Sequence, residues 1–216
     1  MNRTRLICWI ALVAAVSALE YGARFSSAKP KSTQNDVYSY SAFASGLIFY
    51  GLIFGVVLAI AFDRTDLFAV RRPGRRAAQL AVGVLVATYL LELGVAALPI
   101  RNPGREQGLT PTHWEPSHAG AFAANVVLFT VVAPVIEELT FRGVGQSLLR
   151  FTGRWPSILL VGVAFGLWHG LVQALLVLIP FGIGLAYLRD RTRSVIPGMI
   201  VHGLFNGAAL AVAVLS

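Results

Sequence analysis

Hydrophobic positions in this chain fall in long runs, not in the two-residue alternation of a half-buried strand or the narrow stripe of a soluble amphipathic helix. Seven runs stand out, at about Leu6–Leu19, Ser41–Phe62, Ala77–Ile100, Ala119–Leu149, Pro156–Gly170, Leu171–Leu188 and Ser194–Leu215, divided by arginine, proline and polar clusters. Crossing a bilayer takes roughly 20 mostly apolar residues, and a helix satisfies its own backbone in hydrocarbon. The pattern predicts an all-α, polytopic membrane helix bundle of about seven transmembrane helices (six to eight), forming one integral membrane domain over 1–216. The first run is short. With Arg3 and Arg5 ahead and Val16-Ser17-Ala18 behind, it has the form of a cleaved signal segment as well as of a first span. Either way, the second span starts from the outer side. Gly51-x-x-x-Gly55 and Gly166-x-x-x-Gly170 predict close helix approach.

Composition agrees with that pattern: 56% of the 216 residues are hydrophobic and 13% are charged, about half the charged share of a soluble domain. A water-soluble fold with a polar surface is excluded. The single cysteine, Cys8, excludes an intramolecular disulfide and a cysteine-rich metal or redox site.

The net charge of +8, from 18 Lys plus Arg against 10 Asp plus Glu, would point to nucleic acid in a soluble protein. Here its distribution sets topology. With the N-terminus cytoplasmic, the inner segments hold Arg3, Arg5, Arg64, Arg71, Arg72, Arg75, Arg76, Arg150, Arg154, Arg189, Arg191 and Arg193. The outer segments hold Arg24, Lys29, Lys31, Arg101 and Arg105, so twelve basic residues face five, the bias expected of cytoplasmic loops. The expected partners are the lipid bilayer and a membrane-associated protein or peptide, with no nucleic acid. The outer loop 101–118, with Pro103, Pro111, His113, Trp114, Pro116 and His118, reads as a polar turn with an interfacial aromatic.

Ionisable groups at depth must pair, face the bundle interior or lose their charge. There are few: Glu92 in the third run, Glu137, Glu138 and Arg142 in the fourth, His169 in the fifth, and His202 in the seventh, with the polar Asn206 beside it. Glu92 has no cation in its span and reads as a packing or partner group. Glu138 and Arg142 are i and i+4 with the acid first, the order that favours an intrahelical ion pair. That leaves Glu137 free to act as a general base. His202 and Asn206, and likewise Phe165 and His169, share a face at i and i+4 spacing. At about 1.5 Å rise per residue, Glu137 lies roughly 20 Å from the inner boundary, His169 roughly 22 Å, His202 roughly 14 Å and Asn206 roughly 20 Å. Three helices therefore carry an acid, two imidazoles and an amide to similar depth.

At these residues the sequence resembles the CPBP family of intramembrane glutamic endopeptidases, which includes the CAAX prenyl protease known as the Ras-converting enzyme. Glu137-Glu138-Leu139-Thr140-Phe141-Arg142 resembles its Glu-Glu-x-x-x-Arg motif, Phe165-Gly166-Leu167-Trp168-His169 its Phe-x-x-x-His motif, and His202-Gly203-Leu204-Phe205-Asn206 its His-x-x-x-Asn motif. The motifs stand in family order within a core of about 119–215. The resemblance implies a peptidase in which Glu137 and His169 activate water, His202 and Asn206 stabilise the oxyanion, Glu138 and Arg142 form a supporting ion pair, and Phe165 packs against the site. It implies no cofactor and no metal.

A catalytic zinc could use one Glu and two His, but there is no His-Glu-x-x-His, and Asn206 would be a poor ligand. Three other readings compete with proteolysis: a polar network that only sets helix register, a non-proteolytic scaffold or bacteriocin-immunity protein, and a proton-coupled transporter. The last is weakened by the lack of paired half-repeats. The Arg-rich, Lys-poor composition favours a multi-pass protein of a bacterial inner (cytoplasmic) membrane. Peptide maturation, trimming of membrane-anchoring tails and cleavage of a regulatory protein remain equally open as tasks.

Overall fold

A computed structural model of the chain describes residues 3–26, 36–98 and 114–215. Lys29, Lys31, Arg101, Pro103, Arg105, Pro111 and His113 lie outside the described residues. Among the described residues seven main helices follow one another, α1 (Arg3–Phe25), α2 (Tyr40–Ile60), α3 (Ala77–Ala96), α4 (Pro116–Thr152), α5 (Arg154–Trp168), α6 (Leu175–Thr192) and α7 (Ile196–Leu215). Among the described residues there is no strand. The chain is an all-α membrane helix bundle. By length and composition α1 to α4 can each cross a membrane, α5 and α7 are shorter apolar helices, and α6 ends in Arg189, Asp190 and Arg191.

Local chemistry sets several helix ends. Ser39 caps α2, its Oγ accepting from the backbone N–H groups of Ser41 and Ala42 at 3.2 and 3.4 Å. Pro116 opens α4, where its missing N–H costs nothing. Between α4 and α5 the chain turns at Gly153, whose φ of 100° and ψ of 171° suit glycine. Gly170 follows α5 at φ 62°, where a Cβ would also run into Glu20 of α1.

The segments expected on the inner side meet at one end of the bundle. Arg5 of α1 pairs with Asp63 after α2, Ser147 of α4 donates to the Leu67 carbonyl at 3.0 Å, and Ser194 before α7 donates to the Arg71 carbonyl. At the opposite end Tyr21 and Arg24 of α1 donate to the carbonyls of Leu171 and Gly170. Tyr38, Trp114 and Phe122 cluster there with ring centroids 5.4–6.3 Å apart. His118 lies beside them, exposed and 3.1 Å from Glu115.

The core is aromatic. Phe141 of α4 meets Trp9, Phe165 and Trp168 edge to face at 6.2, 5.5 and 5.3 Å, and Leu185, Ala186 and Leu188 of α6 are fully buried. Glycine lets α5 and α6 come close: a Cβ at Gly162 would overlap Ile183, one at Gly166 would overlap Ile179, and one at Gly182 would strike the Gly162 carbonyl. Gly51 and Gly55 correct the expectation of close approach. Both are exposed, with nothing within 4 Å of the place a Cβ would take.

Candidate functional site

The polar residues of α4 lie on an irregular helix. Two π-helical stretches, Leu128–Val132 and Leu139–Gly145, flank a short α segment, Ala133–Glu138. The first has a cause in sequence. In the π register the Leu128 carbonyl accepts from Ala133 N–H, so the Phe129 carbonyl would be due the N–H of Pro134, which has none. The Asn206 side-chain amide of α7 fills that gap, donating to the Phe129 carbonyl at 2.9 Å. Gly203, one turn back on α7, lies so close to the Thr130 carbonyl that a Cβ would collide with it. In the second stretch Trp9 Nε1 donates to the Thr140 carbonyl at 2.9 Å, and the Thr140 hydroxyl donates to the Ile136 carbonyl at 2.7 Å.

Glu138 and Arg142 form the ion pair their spacing predicts, Nη1 donating to Oε1 at 2.7 Å with both side chains fully buried. Arg142 also reaches α6, where Nη2 donates to the Gly182 carbonyl at 2.9 Å, and α5, where its guanidinium lies 4.2 Å from the Phe165 ring centre. One side chain thus joins three helices. Gly198 of α7 faces the other oxygen of Glu138 and leaves no room for a Cβ.

Glu137 is buried one position earlier. Its Oε1 accepts from the Tyr50 hydroxyl of α2 at 2.7 Å. Among the described residues its Oε2 has no hydrogen-bond partner and lies 3.8 Å from His169 Nε2 and 3.8 Å from His202 Nε2. His169 sits where α5 ends. Its backbone N–H turns to the Gly166 carbonyl, which frees the Phe165 carbonyl for the ring Nδ1 at 2.8 Å. A carbonyl only accepts, so Nδ1 carries the hydrogen, and the neutral ring presents its Nε2 lone pair toward Glu137. His202 lies between the rings of Phe165 and Phe181, each 5.5 Å away, with Nδ1 3.4 Å from Glu138 Oε1.

The structure therefore brings together Glu137, Glu138, Arg142, Phe165, His169 and His202 from three helices. Asn206 is on the same face of α7 as His202 but one turn farther on, bound to the Phe129 carbonyl. Glu92 is exposed on α3, away from this group. Among the described residues no three His, Cys, Asp or Glu side chains are arranged to hold a metal ion.

Residues 119–208 match the family described as type II CAAX prenyl endopeptidase Rce1-like. Over these residues, less than half of the chain, the sequence is similar to that family. The matched stretch runs from the start of α4 to just beyond Asn206 and contains all three motifs, so the likeness to a membrane-embedded protease family falls on the residues gathered here. No curated protein and no solved structure matches the chain.

Sequence reasoning missed Tyr50, which supplies a hydrogen bond to Glu137 from outside the motif segment. A tyrosine in an otherwise apolar span was the available signal, because a buried phenol seeks a partner. Trp9 and Pro134 were missed as well, since their roles depend on the π-helical path of α4.

Proposed function

We propose that this chain is an intramembrane endopeptidase of metal-independent, glutamic type that cleaves a peptide bond in a membrane-associated or membrane-anchored protein or peptide. One observation carries the reading: an unpartnered oxygen of buried Glu137 meets two imidazole Nε2 atoms at 3.8 Å each. Glu137 Oε2 and His169 Nε2 are both acceptors, and a water held between them can give a proton to either. As the water oxygen attacks the peptide carbonyl carbon, its proton passes to Glu137. The same proton then goes to the amide nitrogen as the C–N bond breaks.

Charge that develops on the carbonyl oxygen needs donors. His202 is the nearer. Its Nε2, 3.8 Å from Glu137 Oε2, is the atom that donates to the oxyanion. Asn206 has one amide hydrogen committed to Phe129 and one remaining for this role. Glu138 and Arg142 act by positioning α4 and His202. Residues 119–215 form the motif-bearing core of a single membrane domain, with the arginine-rich end on the cytoplasmic side of a bacterial inner membrane.

The test is cleavage of membrane-anchored candidate peptides by the purified full chain in proteoliposomes. Glu137→Gln and His169→Ala are each expected to lower the rate by about 10²–10⁴-fold with the melting temperature retained. Full activity in both variants would overturn the assignment. A Glu137→Gln protein that is proteolytically dead yet complements a deletion phenotype would assign the biological role to scaffolding.

A further inference from the structure

A cavity of about 420 Å³ opens at the basic end of the bundle, away from the glutamates. Arg76, Arg150, Arg154, Arg189, Arg191 and Arg193 line it with one carboxylate, Asp190. Asp190 is taken by Arg154 at 2.8 Å, and among the described residues the other five arginines have no ion-pair partner. Arg189 is the telling one. It is buried, one arm of its guanidinium donates to Ser147 Oγ at 2.6 Å, and among the described residues its Nε has no hydrogen-bond partner. A buried cation without an anion is costly, and four more guanidinium groups around the same space add to the cost. The arrangement calls for an anionic ligand.

Two observations say which kind. The cavity lies at the ends of α4 and α6 and the starts of α3 and α5, where helices long enough to cross a bilayer would reach its interface. Exposed Phe151 and Trp155 flank it, with Trp155 stacked on Tyr187 and under Arg154, as aromatic residues mark a headgroup level. A second, largely apolar groove of about 400 Å³ runs from there between α3 and α6. Leu80 lines both spaces. Gly83, Val84, Pro180 and Gly184 continue the groove away from the basic end. A charged chamber opening into an apolar channel fits an amphipathic molecule, whereas a free anion would leave the channel unused.

We propose that this composite site binds an anionic phospholipid, its phosphate held among the arginines and one acyl chain along the α3–α6 groove. Phosphatidylglycerol fits the charge. Phosphatidylcholine brings its own ammonium group to a chamber already rich in cations.

The full chain is reconstituted in nanodiscs of mixed phosphatidylglycerol and phosphatidylcholine, then extracted in mild detergent, and the lipid retained is identified by mass spectrometry. Wild type is expected to retain phosphatidylglycerol in preference. The exposed rim arginines allow a variant that leaves the buried Arg189 in place, Arg76→Gln/Arg150→Gln/Arg193→Gln. Each arginine removed is expected to weaken retention about fivefold, giving roughly 10²-fold for the three, with the melting temperature in phosphatidylcholine alone unchanged. Gly83 has open space where a Cβ would stand, so Gly83→Leu is expected to fill the groove and reduce retention of the diacyl lipid. Equal retention of both lipids by wild type, or unchanged selectivity in the triple variant, would overturn the proposal. So would inorganic phosphate that stabilises wild type as much as phosphatidylglycerol does while Gly83→Leu has no effect, because the site would then be one for a small anion.

Discussion

Replacing Arg142 by Leu leaves the Glu138 carboxylate in a closed interior without its cation. The wild-type pair is fully buried at 2.7 Å, and the same guanidinium holds the Gly182 carbonyl at 2.9 Å and lies against Phe165. Removing one member of a buried pair costs about 3–5 kcal/mol, because the remaining charge must stay desolvated or be neutralised. Leucine restores part of the packing against Phe165, so the lost carbonyl contact does not add in full. At about 2–4 °C per kcal/mol for chains of this length, the melting temperature should fall by roughly 6–20 °C, read by circular dichroism in a single detergent. Glu138→Leu/Arg142→Leu removes both charges and should recover most of that loss, since apolar replacement of a whole buried pair is often near neutral. Arg142→Lys should fall between, because an ammonium cannot fork to Glu138 and Gly182 together. If Arg142→Leu costs less than about 1 kcal/mol, or if the double variant is no more stable than the single ones, the charge-burial reasoning fails.

Tyr50→Phe removes the donor to Glu137 Oε1 and should lower turnover by about 5–150-fold, the equivalent of leaving a buried acceptor short of one bond; Michaelis–Menten analysis should show the loss in kcat with little change in KM. Asn206→Leu should destabilise the protein by about 1–3 kcal/mol because the Phe129 carbonyl is orphaned. Pro134→Ala should reduce that penalty by restoring a backbone N–H, and additive melting shifts in the double variant would refute the link. Hydrolysis should persist in excess chelator, since proton transfer and oxyanion donation are assigned to protein side chains. Loss of activity restored specifically by zinc would replace that mechanism with a metal-based one.

Much of the fold was legible because the bilayer imposes a simple rule, and the expected runs differ from the observed helices mainly at their ends. α1 is longer at both ends than its apolar run, as Arg5 and Tyr21 find partners on other segments. Leu171 belongs to the turn before α6, where Gly170 in the left-handed region stops the helical path. The depth estimates placed Glu137 level with Asn206, whereas it meets His202. A helix of uniform rise was assumed, and the π stretch at Leu139–Gly145 packs more residues into each turn.

What the sequence determined by itself was short-range in origin: seven apolar runs, the one-sided arginines, and the i and i+4 spacings that put Glu138 beside Arg142 and His202 on one face with Asn206. Helical periodicity and the cost of charge in hydrocarbon suffice for each of these. Only the tertiary structure decided which polar atoms meet. Tyr50 reaches Glu137 across 87 positions of chain, Asn206 reaches the carbonyl that Pro134 leaves open, and six arginines from four helix ends enclose one chamber. Those pairings depend on how helices pack and where α4 departs from regular geometry, and no local pattern encodes a contact between side chains that distant in sequence.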